Sequence, residues 1–199
     1  MKSKRWIGIA AIVGIIIIIC IFTMRTSIDP NAYCLDGFYI SLDSEIWDYE
    51  RASPMYPITS EIGDLLNGAE IVRTRAEEDN FQPDKMISLQ IEHYYLKEYT
   101  FKEYMDYLEE QARIRGGEYT RKEMLIDGYD AVYTVNKSED RCHCTWNIGE
   151  GNYYYAFNYL VDAEDSEYYM ENVEQAVKTI RITSMDKVDL PQYEMHIRE

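Results

Sequence analysis

The chain has 199 residues, room for one ordinary domain and little more, and it carries 36 acidic against 20 basic side chains, a net charge of −16. Lys2, Lys4, Arg5 and Arg25 stand in a first stretch without acids, so residues 26–199 keep sixteen basic and thirty-six acidic side chains, a net of −20. Such a surface repels phosphate backbones; it excludes nucleic acid as a partner and favours cations or basic protein surfaces.

From Trp6 to Met24 every residue except Thr23 is apolar or small, a run of 19 residues. At about 1.5 Å per residue a helix of this length nearly spans the ~30 Å hydrocarbon core of a bilayer. The sequence therefore predicts a transmembrane anchor at 6–24 behind a cytoplasmic N-terminus at 1–5. Basic residues precede the run and only Arg25 follows it closely, so the positive-inside bias sends the remainder across as an extracytoplasmic domain. The expectation is a signal-anchored, single-pass cell-membrane protein. A cleaved signal has a shorter apolar core of about 7–15 residues and a small-residue cleavage site, which Thr23-Met24-Arg25 does not offer. A lipoprotein is the other alternative, through Cys20, although Ile19 stands where a small residue is usual.

Residues 25–36 read as a linker with turn-forming Asp29, Pro30 and Asn31, and the domain is expected over 37–183. Phe38, Ile40 and Leu42 alternate with Tyr39 and Ser41 as in a half-buried strand. Trp47 follows in an irregular stretch as a core residue. Ser60 to Leu66 reads as a short helix stopped by Asn67-Gly68, and Ala69 to Arg75 as a strand. Ile87, Leu89, Ile91, His93 and Tyr95 then form one face of a clear strand over 86–95.

Thr100 opens a helix with a capping box to Glu103, and Gly116-Gly117 closes it. Phe101, Tyr104, Met105, Leu108 and Ala112 give that helix an apolar face. Four strands follow as an antiparallel meander, Glu118 to Ile126, Tyr129 to Asn136, Arg141 to Ile148 and Tyr153 to Val161, with Asp127-Gly128 as a strong hairpin turn. A last helix is predicted over 166–180, and a flexible tail over 184–199. The fold class is α+β: an antiparallel sheet packed with two main amphipathic helices behind a transmembrane helix.

Cys142-His143-Cys144 brings together zinc-ligand types, but on a strand the histidine points away from the two cysteines, so no metal site is expected. In an oxidising compartment Cys34 can pair with Cys142 or Cys144; a disulfide and reduced core cysteines are both open. His93 reads as a core or rim histidine. The chain has no nucleophile elbow, phosphate loop or dinucleotide fingerprint, so no cofactor and no enzymatic activity are expected. Acids cluster at Glu77-Glu78-Asp79 and over Asp162 to Asp165 without the spacing of a calcium loop. In the Tyr153-Tyr154-Tyr155 run, Tyr154 is expected to face outward as a contact residue.

Phe38 to Leu42 with Trp47, the helix from Thr100, Ile126 to Tyr133 and the closing Thr179 to Ile182 together resemble the PsbP-like sandwich of small membrane-anchored or lumenal proteins. The resemblance covers about residues 36–182 and implies a non-enzymatic assembly or scaffold role. The expected function is a protein-interaction or envelope-assembly module with an unidentified protein partner. The alternative is a small-ligand or cation (calcium) binding sensor domain.

Overall fold

The computed structural model describes residues 28–73, 87–115, 118–167 and 169–188. The chain divides into two compact units, Met1–Asn31 and Ala32–Glu199. Within the first, the Asn31 amide donates to the Asp29 carboxylate at 2.9 Å in a local turn. Among the described residues no helix is long and apolar enough to cross a membrane. Residues 1–5 and the anchor predicted at 6–24 lie outside the described residues. The expectations of a transmembrane helix, a single-pass placement and a cell-membrane location are corrected to this extent: no spanning helix among the described residues supports them.

The second unit is mostly antiparallel sheet, which corrects the α+β class: its described elements are eleven strands and two α-helices. In chain order they are β1 (Tyr33–Leu35), β2 (Phe38–Ile40), β3 (Trp47–Met55), β4 (Ile58–Thr59), β5 (Gly63–Arg73) and β6 (Ile87–Leu96). Helix α1 (Phe101–Arg115) follows, then β7 (Glu118–Ile126), β8 (Tyr129–Lys137), β9 (Arg141–Glu150), β10 (Tyr153–Asp162), α2 (Met170–Lys178) and β11 (Arg181–Ile182). A large sheet has the order β3-β5-β6-β10-β9-β8-β7, with β4 paired to β5; a small sheet has the order β1-β2-β11.

The meander forms where alternation places it. Asp127 and Gly128, at φ 51° and 90°, supply the two positive-φ positions of a tight hairpin turn between β7 and β8. The same dipeptide at Asp36-Gly37, φ 51° and 86°, turns β1, which lies inside the stretch read as a linker, into β2. At Ser60 to Leu66 the predicted helix gives way to a turn. The Ser60 hydroxyl donates to the Gly63 carbonyl at 2.6 Å, and Leu65 enters β5 opposite Tyr94. A segment of two turns has too few internal hydrogen bonds to compete with a long strand partner. The final helix is shorter than predicted, a 3-10 turn at Ala163–Asp165 followed by α2.

The large sheet has two unlike faces. One carries Leu89, Ile91, Phe157, Tyr159, Trp146 and Ile148 into the main core, which Phe38, Ile40 and Trp47 share with Val173, Ala176 and Val177 of α2. Trp47 Nε1 donates to Asn172 Oδ1 at 2.8 Å, tying β3 to α2. The opposite face holds a smaller cluster under α1, made of Leu96, Phe101, Met105, Val132, Tyr154 and Ala156.

A buried polar network ties the ends of the domain to the sheet. His93 Nδ1 meets Asp36 Oδ2 at 2.9 Å with both side chains 0% exposed. His93 Nε2 lies 2.9 Å from the Met185 carbonyl, and Asn67 Nδ2 donates to Asp36 Oδ1 at 3.0 Å. The Tyr155 hydroxyl donates to the Asp36 carbonyl at 2.6 Å while its ring stacks on His93 at 4.3 Å. A carbonyl only accepts, so Nε2 carries a hydrogen, and a further proton is shared between Nδ1 and the carboxylate. Met185, expected in the tail, is buried by this arrangement at 6% exposure.

Candidate functional site

Helix α1 is capped within its own first turn and held on the second face at two places. At its start the Glu103 carboxylate accepts from the Thr100 amide and from the Thr100 hydroxyl, both at 2.8 Å, closing the predicted capping box. These bonds hold the Glu103 carboxyl below its usual range. Phe101 then packs against Gly149 of β9: a Cβ at Gly149 would fall 2.5 Å from Phe101 Cδ2. Midway along the helix, Arg121 of β7 donates to Asp106 at 2.8 Å and to Glu109 at 2.7 Å.

Beyond the apolar cluster, α1 and the sheet part to enclose a cleft of about 510 Å³. Its helical side presents Tyr104, Tyr107, Leu108, Gln111, Ala112 and Arg115. Its floor is the side of β6, β10 and β9 that faces away from the main core, including Glu92, Tyr94, Tyr154, Asn158, Thr145 and His143. Tyr94 and Tyr154 are partners in the register of β6 and β10, and their rings stack at 4.8 Å. Tyr104 of α1 closes on Tyr154 at 5.7 Å and on Tyr107 at 6.1 Å.

The floor is hydrogen-bonded internally. Asn158 Nδ2 donates to Glu92 Oε2 at 2.7 Å, and its Oδ1 accepts from the Thr145 hydroxyl at 2.9 Å and from His143 Nε2 at 3.0 Å. An amide oxygen cannot donate, so the His143 hydrogen is on Nε2, and both ends of the Asn158 amide are engaged. Burial raises the Glu92 carboxyl above its usual range, against the lowering influence of hydrogen bonds from Asn158 and Tyr94 and of the nearby His143. Burial likewise raises the Tyr94, Tyr104 and Tyr154 hydroxyls, so these remain neutral donors across physiological pH. The arrangement offers an acceptor group, neutral donors and aromatic faces within one concavity.

The residues singled out in the sequence fall elsewhere or change role. Cys34 is exposed on β1, whereas Cys142 and Cys144 are buried on β9 with their sulfurs 3.8 Å apart. All three are free thiols in this structure, and β1 belongs to the small sheet whereas β9 belongs to the large one. Burial pushes the Cys144 thiol up to about 11. Tyr154 does point away from Tyr153 and Tyr155, but α1 covers it and leaves it 5% exposed, so it walls the cleft and is not an open contact residue. Among the described residues no three His, Cys, Asp or Glu side chains converge to hold a metal ion. The acidic cluster at 77–79 lies outside the described residues.

Sequence reading misses Glu92, Asn158, Thr145 and His143. They occupy alternate positions on the non-core side of their strands, a pattern that also marks a solvated sheet face. The available signal is α1 itself, whose apolar face must cover the sheet side where these polar residues lie. No protein-family model matches the chain, and no curated protein matches it significantly. The PsbP-like resemblance gains no support from these comparisons.

Proposed function

We propose that the domain is a non-enzymatic small-molecule-binding module whose site is the cleft between α1 and the polar face of the large sheet. The observation that carries this reading is the cleft's floor: the hydrogen-bonded set Glu92, Asn158, Thr145 and His143 is assembled from three strands beneath a tyrosine wall. Its volume of about 510 Å³ lies in the range of small-molecule sites, which run from roughly 300 to 1,000 Å³. Keeping a carboxylate where burial penalises its charge is a feature that functional sites share. An organic ligand is favoured over a bare calcium ion, because the described residues bring no three metal-ligating side chains together. It is favoured over a docked protein because the tyrosine proposed for such contact is enclosed.

The test is a fragment library screened by ligand-observed NMR on the full-length chain, repeated on Ala112→Trp. Ala112 lines the helical side of the cleft, and an indole there occupies ligand space. Hits on the natural chain that vanish in the variant are expected. An absence of hits, or hits indifferent to Ala112→Trp, refutes the cleft as a binding site.

A further inference from the structure

Resting on the ligand-binding reading above, we infer that the cleft selects a ligand bearing an organic ammonium group, with the Glu92 carboxylate as its counter-ion and Tyr94, Tyr104 and Tyr154 as the surrounding wall. Glu92 projects from the middle of β6, flanked in register by Ala156 on β10 and Gly68 on β5. Ala156 contributes only a methyl group on the β10 side, while on the β5 side the Met55 side chain covers Gly68, so the carboxylate opens toward the cleft that it lines. Asn158 holds one carboxylate oxygen through its Nδ2, and Thr145 and His143 occupy its Oδ1, so the amide is fixed with its donor toward Glu92. Tyr94, two residues on along the same side of β6, lowers the Glu92 carboxyl in the same sense as Asn158.

Asn158 and Tyr94 are neutral donors, and among the described residues no lysine or arginine forms an ion pair with Glu92. Neutral donors orient a carboxylate without cancelling its charge, so the group still favours a cation. The tyrosine faces act in the same direction, since an aromatic ring attracts positive charge to its face. Two lining residues can act against this: His143, whose charge when protonated favours the Glu92 carboxylate from the same floor, and Arg115, which is exposed at the last residue of α1 while Glu92 lies on the floor. An ammonium group there donates N–H to Glu92, and its hydrocarbon part lies against the Tyr94 and Tyr154 pair. Anions meet the same carboxylate as a repulsion, and neutral alcohols forgo the charge.

The experiment titrates phenethylamine, 2-phenylethanol and 3-phenylpropionate, similar in shape and different in charge, into the full-length chain by NMR and calorimetry. The amine is expected to bind about tenfold or more tightly than the alcohol, and the acid not detectably. Glu92→Gln, checked for folding by its melting curve, should remove the amine's advantage, and Tyr104→Leu should weaken the amine. Equal binding of amine and alcohol, or an advantage that survives Glu92→Gln, overturns the ammonium assignment while leaving the cleft as a site. Failure of all three, with only neutral or anionic library fragments displaced by Ala112→Trp, does the same. Failure of all three with no displaced fragments overturns the binding reading as well. Should Glu92→Gln not fold, the comparison of amine with alcohol on the natural chain decides alone.

Discussion

Gly149→Ala is expected to loosen the seat of α1, and the magnitude follows from the contacts. The added methyl would lie 2.5 Å from Phe101 Cδ2 and 2.9 Å from Tyr154 Cβ. Carbon atoms rest at about 3.5–4.0 Å, so the Phe101 ring must retreat by roughly 1 Å. Overpacking of this kind costs about 1–3 kcal/mol. Replacing glycine by alanine where the backbone tolerates it returns about 0.4–1 kcal/mol through the unfolded chain. The net expectation is a loss of about 0–2.6 kcal/mol, which for a domain of this size lowers the melting temperature by up to roughly 10 °C. Thermal melts followed by circular dichroism on the natural chain, Gly149→Ala, Phe101→Ala and the double variant complete a cycle. Without the phenyl ring the alanine should cost at least about 1 kcal/mol less, keeping only the crowding by Tyr154. An alanine cost that is the same with and without Phe101 would refute the idea that this glycine exists to seat the helix.

Three further outcomes follow from the buried groups. His93→Leu strands the Asp36 carboxylate without its histidine and should cost about 3–5 kcal/mol in urea unfolding; a loss below about 1 kcal/mol would mean the pair is not a buried one. Because burial raises the Glu92 carboxyl in the folded chain, its contribution to stability is fully present below the unfolded carboxyl value of about 4.3 and is lost as pH rises through the higher folded value. Glu92→Gln should therefore melt above the natural chain at pH 7, with the advantage gone near pH 4, and a variant that melts lower at pH 7 contradicts the cited cause. Under native conditions at pH 8, iodoacetamide should label exposed Cys34, while Cys142 and Cys144 react only after unfolding, as site-resolved mass spectrometry would read. Rapid native labelling of Cys144 would show that β9 opens.

What the sequence by itself determines here is whatever depends on residues a few positions apart. Alternation marks β6 through β10, Asp127-Gly128 requires its hairpin, and Thr100 with Glu103 closes the box that starts α1, because each effect acts within a strand, a turn or one helical turn. Asp36-Gly37 was equally legible as a turn, being the same dipeptide with the same positive-φ geometry. The tertiary structure decides the rest. Ser60 to Leu66 becomes a turn and a strand because β6 offers it a longer partner than a short helix offers itself, and β11 exists only through pairing with β2, more than a hundred residues earlier. Tyr154 is enclosed because α1 lands on its face of the sheet. The cleft needs Glu92 beside Asn158, 66 residues apart, and that meeting is set by β6 pairing with β10. Strand order is chosen by the burial of the opposite, apolar face, so the polar residues of the site are brought together by a core to which they do not belong.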